Sequence, residues 1–191
     1  MSENKILVKR LISQSLLILI TICTCALIWF TPSALAELND DKFDGNIFAL
    51  YAGNGALIPP KVTLAESLQR KKTALLLLYV EDSSDCKKYA PVISQLQSLY
   101  GQGVDFIPIN VDAIPVKNKY ESTEPGYYYQ GYVPQTVIID EEGKAIFNEK
   151  GKIALETIDD LLRKKFNLPP RSLTKELKER ALNEINTELT P

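Results

Sequence analysis

Thr73-Ala74-Leu75-Leu76-Leu77-Leu78-Tyr79-Val80, followed by Glu81-Asp82-Ser83-Ser84-Asp85-Cys86-Lys87-Lys88-Tyr89-Ala90-Pro91, is the stretch on which the fold turns. Its first half is an unbroken apolar run of strand length. Such a run suits a central strand buried on both faces. The polar break at Glu81–Asp85 ends the strand, and a helix is predicted from about Ser84 to Tyr100. Val92, Leu96, Leu99 and Tyr100 recur there at helical spacing, and Gly101-Gln102-Gly103 stops it. Ser83 stands where a hydroxyl can take up a first-turn amide, so it is the expected N-cap.

Working outward, Ile47–Tyr51 is predicted as a short strand and Ala52-Gly53-Asn54-Gly55 as a turn. Ala56–Val62 is expected to be extended, with Pro59-Pro60 confining it to an edge. Thr63-Leu64-Ala65-Glu66 is a capping box that opens a helix to about Arg70. Downstream, Val104–Val111 alternates like a strand, Ile114–Tyr120 is expected to be a short helix, and Glu121–Gly131 is a tyrosine-rich loop. Thr136–Ile139 and Lys144–Phe147 form a hairpin across Asp140-Glu141-Glu142-Gly143. Ile153–Phe166 is a helix with Leu155, Ile158, Leu161 and Leu162 on one side. Long crossovers require parallel pairing and the tight hairpin antiparallel pairing. The expected class is therefore α/β, a mixed central sheet with helices on both faces.

Composition narrows the chemistry. The 191 residues include 22 Lys+Arg, 24 Asp+Glu, three Cys and no His. Without histidine there is no Ser-His-Asp triad, no Cys-His pair and no His-bearing zinc site. A net charge of −2 lacks the basic footprint of a nucleic-acid binder. Cys23 and Cys25 lie in an apolar N-terminal run, which leaves Cys86 alone in the remainder. That part closes no internal disulfide and builds no Cys₄ metal site. No cofactor and no metal are expected.

Residues 1–36 carry a targeting signal. Lys5, Lys9 and Arg10 precede an apolar run from Leu11 to Phe30, and Ala34-Leu35-Ala36 is a small-x-small cleavage signature. The segment suits a cleaved signal peptide or an uncleaved membrane anchor, since about 20 apolar residues span a bilayer. Either form places the rest on the non-cytoplasmic side. Residues 37–59 are expected to form a linker and N-terminal extension, 60–167 the domain, and 168–191 an amphipathic helical tail. In that tail Leu173, Leu177, Ala181, Ile185 and Leu189 follow at four-residue steps, a stripe suited to packing on its own domain or in a partner's groove.

Residues 60–167 resemble thioredoxins. The family pattern is an apolar strand, then Trp-Cys-Gly-Pro-Cys-Lys, then a helix with Ala-Pro one turn later. This chain has Asp82-Ser83-Ser84-Asp85-Cys86-Lys87 and then Ala90-Pro91. Asn110-Val111-Asp112 is similar to the family's Asn-x-Asp, and Tyr132-Val133-Pro134-Gln135-Thr136 to the segment with its cis-proline. The resemblance implies a thioredoxin-like fold and a cis Pro134 bordering a client groove. It also sets out the departures. Ser83 replaces the attacking cysteine, Cys86 matches the second one, Leu77 replaces the proton-relay acid, and Pro108 replaces that acid's lysine partner. Dithiol exchange needs a low-pKa thiolate and a second thiol to resolve the mixed disulfide. A serine hydroxyl supplies neither, so classical oxidoreductase activity is not expected.

Two roles remain open for Cys86, an inert buried thiol or a single-cysteine redox site. Tyr127, Tyr128, Tyr129 and Tyr132 crowd the loop before Val133-Pro134, either packing it down or forming a face for a protein client. With the N-terminal segment, the degenerate motif, Tyr132-Val133-Pro134 and the helical tail, the chain resembles the cyanobacterial thylakoid photosystem I accumulation factors. That resemblance implies a location in the thylakoid membrane or lumen, or otherwise an exported or periplasmic one. It also implies a membrane-complex subunit as client and a non-enzymatic role in that complex's accumulation. The alternative is a thiol–disulfide redox protein using Cys86.

Overall fold

A computed structural model describes residues 14–25 and 37–171. Residues 14–25 form an exposed helix, α1, in which the Thr21 hydroxyl donates to the Leu17 carbonyl at 2.9 Å. Among the described residues no helix is long and apolar enough to cross a membrane. The rest of the targeting segment, with its cleavage signature, and the tail from 172 onward lie outside the described residues.

The other unit is a four-stranded sheet in the order β2-β1-β3-β4. Strand β1 (Thr73–Tyr79) is buried at every position, as its sequence predicts. It pairs in parallel with β2 (Val104–Asn110) and antiparallel with β3 (Gln135–Ile139), which pairs antiparallel with β4 (Ala145–Lys150). Alternation along β1 divides the core. Leu75, Leu77 and Tyr79 point to one face, and Ala74, Leu76 and Leu78 to the other. The first face is covered by α2 (Ile47–Ala52), α4 (Ser84–Tyr100) and α5 (Leu155–Lys165). The second is covered by α3 (Leu64–Gln69) and the loop after β2. The expected α/β architecture with helices on both faces is present.

Four expectations need correction. Ala56–Val62 is not an extended edge: Gly55–Leu57 forms a 3-10 turn, with the Ile58 amide bonded back to the Gly55 carbonyl, and no strand of the sheet runs through 56–62. Ile47–Tyr51 is helical, not a strand. The Asn46 side chain accepts from the Phe48 and Ala49 amides at 3.0 and 3.1 Å, and Gly53 ends the helix at φ +59°, which glycine adopts freely. Ile114–Tyr120 is irregular. Pro115 disfavours a helical Ile114, whose φ and ψ are −75° and 119°. The segment 37–45 is no slack linker, because it is bonded to the start of α4 as described below. The capping box at Thr63 is as expected, with Thr63 and Glu66 bonded reciprocally.

Candidate functional site

The site begins where β1 delivers the chain to α4. Ser83 is the N-cap, its hydroxyl accepting from the Cys86 amide at 3.4 Å. That role needs only an oxygen lone pair, so it fits the serine without any nucleophilic chemistry. Cys86 is 1% exposed and sits in the cluster of Leu77, Tyr79, Tyr89 and Ile93. Burial pushes its thiol above the usual range. Hydrogen bonds from the Val80 backbone and the Ser83 side chain offset part of this, and the charges of Asp85 and Asp82 add to it. The two relay positions face each other, for Leu77 on β1 is the register partner of Pro108 on β2. Leu77 is 2% exposed among apolar neighbours, and neither side chain has an ionisable proton to relay.

The Val133–Pro134 bond is cis, as the resemblance implies. Pro134 is buried, and its carbonyl accepts from the Gly151 amide at 2.7 Å. Val133 packs on the cluster that holds Cys86. Thr136, on the next strand, shares a buried 3.0 Å hydrogen bond with the Tyr89 hydroxyl of α4. Lys152, just beyond β4, pairs with Asp85 at 2.5 Å. Motif helix and proline segment are thus joined on one side of the sheet.

The four tyrosines separate. Tyr128 is 6% exposed, packs on the opposite sheet face with Leu76 and Val137, and donates to the Ser122 carbonyl at 2.9 Å. It is a core residue and drops out of the candidate docking face. Tyr127 and Tyr132 are more than half exposed and Tyr129 is 37% exposed. Tyr127 stands edge-on to Tyr128, with ring centroids 5.0 Å apart. Gln135, buried at the start of β3, holds this loop. Its amide donates to the Tyr128 carbonyl and to Asn148 Oδ1, both at 2.7 Å, and accepts from the Gln130 amide at 3.0 Å.

Sequence reasoning also missed Lys87. Its side chain is wholly buried, yet charged. Its ammonium donates to Asp40 Oδ1 at 2.9 Å, Asp44 Oδ2 at 2.5 Å, the Glu37 carbonyl at 3.0 Å and the Asp40 carbonyl at 3.1 Å. The Tyr51 ring centroid lies 5.7 Å away, and the Tyr51 hydroxyl donates to Asp44. Burial opposes the charge on Lys87, and the bonds to Asp44 and Asp40 outweigh it, holding the ammonium above the usual lysine range. One turn earlier, Asp41 Oδ1 accepts from the Ser84 amide at 2.7 Å, an acid at a helix N-terminus. The available signal was Lys87 itself, three residues before Ala90 and so on the buried stripe of α4.

Strand order, a helix starting directly after β1, a cis proline opening β3 and one buried motif cysteine together define a thioredoxin-like protein that keeps one of two motif thiols. No family model matches the chain. It belongs to the family of the thylakoid membrane protein slr1796 of Synechocystis sp., to which it is 51% identical over 157 residues, covering 82% of this chain and 78% of that protein. It is also 29% identical over 98 residues to the thiol:disulfide interchange protein TxlA homolog of Synechocystis sp., about half of each chain at 51% and 52%. A solved structure of thioredoxin-2 from the malaria parasite matches with a TM-score of 0.40 and 13% identity, covering 49% of this chain and 82% of that one. The chain is accordingly a thylakoid thioredoxin-like protein.

Proposed function

We propose that this protein works without redox turnover, as a factor that helps a membrane complex, photosystem I, to accumulate from the lumenal side of the thylakoid. The observation that carries the reading is the state of the motif. Ser83 is a cap, Cys86 is buried with its thiol held protonated, and the relay positions are Leu77 and Pro108. The attacking thiol and the proton relay of dithiol exchange are both missing, while the fold and the proline segment are kept. What remains is a surface. The backbone of Val133, before the cis Pro134 and outside the paired strands, is left to pair with an extended client segment, which needs no particular side chain. The choice of photosystem I as client rests on the resemblance carried by Asp82–Cys86 and Tyr132-Val133-Pro134.

The test is an affinity pull-down from solubilised thylakoid membranes without reductant, with the natural protein beside Cys86→Ser. Equal recovery of photosystem I subunits by both supports the reading. A client held by the natural protein, lost in Cys86→Ser and released by reductant would establish the single-cysteine redox role instead. In parallel, an insulin-reduction assay should stay at background. Protease added to intact thylakoids should leave the domain uncut, whereas cleavage there would refute the lumenal placement.

A further inference from the structure

The bonds made by residues 37–45 bracket Cys86. Asp41 takes the amide of Ser84, two residues before it, and Asp40, Asp44 and the Glu37 carbonyl take the ammonium of Lys87, one residue after it. The same segment leads through Asn46 into α2, whose Ile47 and Phe48 are 1% and 0% exposed in the cluster that contains Cys86. Phe48 stands edge-on to Tyr79 with centroids 5.5 Å apart. Segment and helix therefore lie over the end of the sheet where the motif emerges. The charge arrangement makes this closure close to all-or-none. A buried ammonium stripped of its carboxylates is costly, so Lys87 must either keep Asp40 and Asp44 or move to water.

We propose that residues 37–52 form an intramolecular lock on the motif, with Lys87 as its bolt, and that opening of this lock is the step that admits any reagent or partner to Cys86. The lock is local. Its bonds join the N-terminal strap and α4 and leave the hydrogen bonding of β1 to β3 untouched. It can therefore open without unfolding of the sheet, as sub-global openings do. The inference does not depend on the choice of client.

The experiment measures alkylation of Cys86 by N-ethylmaleimide in the full chain, read by mass on the Cys86 peptide so that Cys23 and Cys25 do not enter. Three variants are compared with the parent. Asp40→Asn with Asp44→Asn draws the bolt. Asp41→Ala removes the exposed tie to Ser84. Asp159→Asn weakens the remote contacts of Asp159 with Tyr100 and Arg171. Labelling of a buried thiol follows the population of the open state, so the double variant should label about tenfold faster or more, and Asp41→Ala severalfold faster. Hydrogen exchange in the double variant should rise in residues 37–52 and not in β1. Asp159→Asn, though less stable, should label at the parental rate well below its Tm. Should the double variant not fold, Asp41→Ala decides the matter. Parental labelling in Asp41→Ala, or equal acceleration in Asp159→Asn, overturns the lock. The labelling needs no client, so its failure is distinct from failure of the pull-down.

Discussion

At position 86 a thiol is present and its chemistry is withheld. Burial raises its pKa above the ordinary 9.0, and Asp85 and Asp82 act in the same direction. The folded group therefore gives up its proton later than the unfolded one. Its contribution to stability is complete below pH 9 and declines as pH rises beyond that. Thiolate absorbance of Cys86, taken as the difference from Cys86→Ser, should accordingly stay flat up to pH 9 in the folded protein. A rise around neutrality would mean an activated thiol. Position 83 gives a second expectation. Ser83→Cys restores two thiols but leaves Leu77 and Pro108, so insulin reduction should recover only slightly. These single-residue departures were legible in the sequence, because substitution at a motif position needs no three-dimensional information. A buried Cys86 was one of the two readings the sequence left open, and its 1% exposure among Ile47, Phe48 and Leu77 decides for it.

Among the elements, β1 and α4 were readable because their signals are long and local. Seven apolar residues in a row and a capped seventeen-residue helix leave little choice. The six-residue helix α2 was misread as a strand. Its apolar letters are too few to show a period, while Asn46 and Gly53, the cap and the stop, did mark a helix. Gln135 was missed for a different reason. A polar residue opening a strand looks solvent-facing until the loop 128–130 folds against it. It is the clamp between that loop and β4, so Gln135→Ala should lower stability by about 2 kcal/mol or more, because the Tyr128 carbonyl and Gln130 amide lose their partner. Thermal denaturation measures this. An unchanged Tm would show that the loop does not need the clamp.

For the whole molecule, acid and partner binding are the two tests of how its parts cooperate. Bonds to Lys87 hold Asp40 and Asp44 below the usual carboxylate value of 3.8, and the Ser84 amide does the same for Asp41. Asp159 is buried, yet Arg171 and Tyr100 hold it low as well. A lowered folded pKa adds stability that is complete above 3.8 and is lost as pH falls below it. Stability should thus be level from neutrality down to about pH 4 and then drop, with strap and α2 opening first by hydrogen exchange. The tyrosines supply the second test. Tyr128 is a core side chain on the face opposite Cys86, so Tyr128→Ala should cost about 3–5 kcal/mol, like other buried aromatic truncations. Tyr129 and Tyr132 are exposed, and their loss should leave Tm nearly unchanged. If they form a docking face beside Val133, Tyr129→Ala with Tyr132→Ala should weaken client recovery about thirtyfold, the effect of roughly 2 kcal/mol at an interface anchor. Tyr128→Ala, assayed on the fraction that stays folded, should recover client through the two tyrosines it keeps. Full recovery by Tyr129→Ala with Tyr132→Ala would move the docking face away from this loop. A steep fall in its Tm would show instead that these rings pack the loop down.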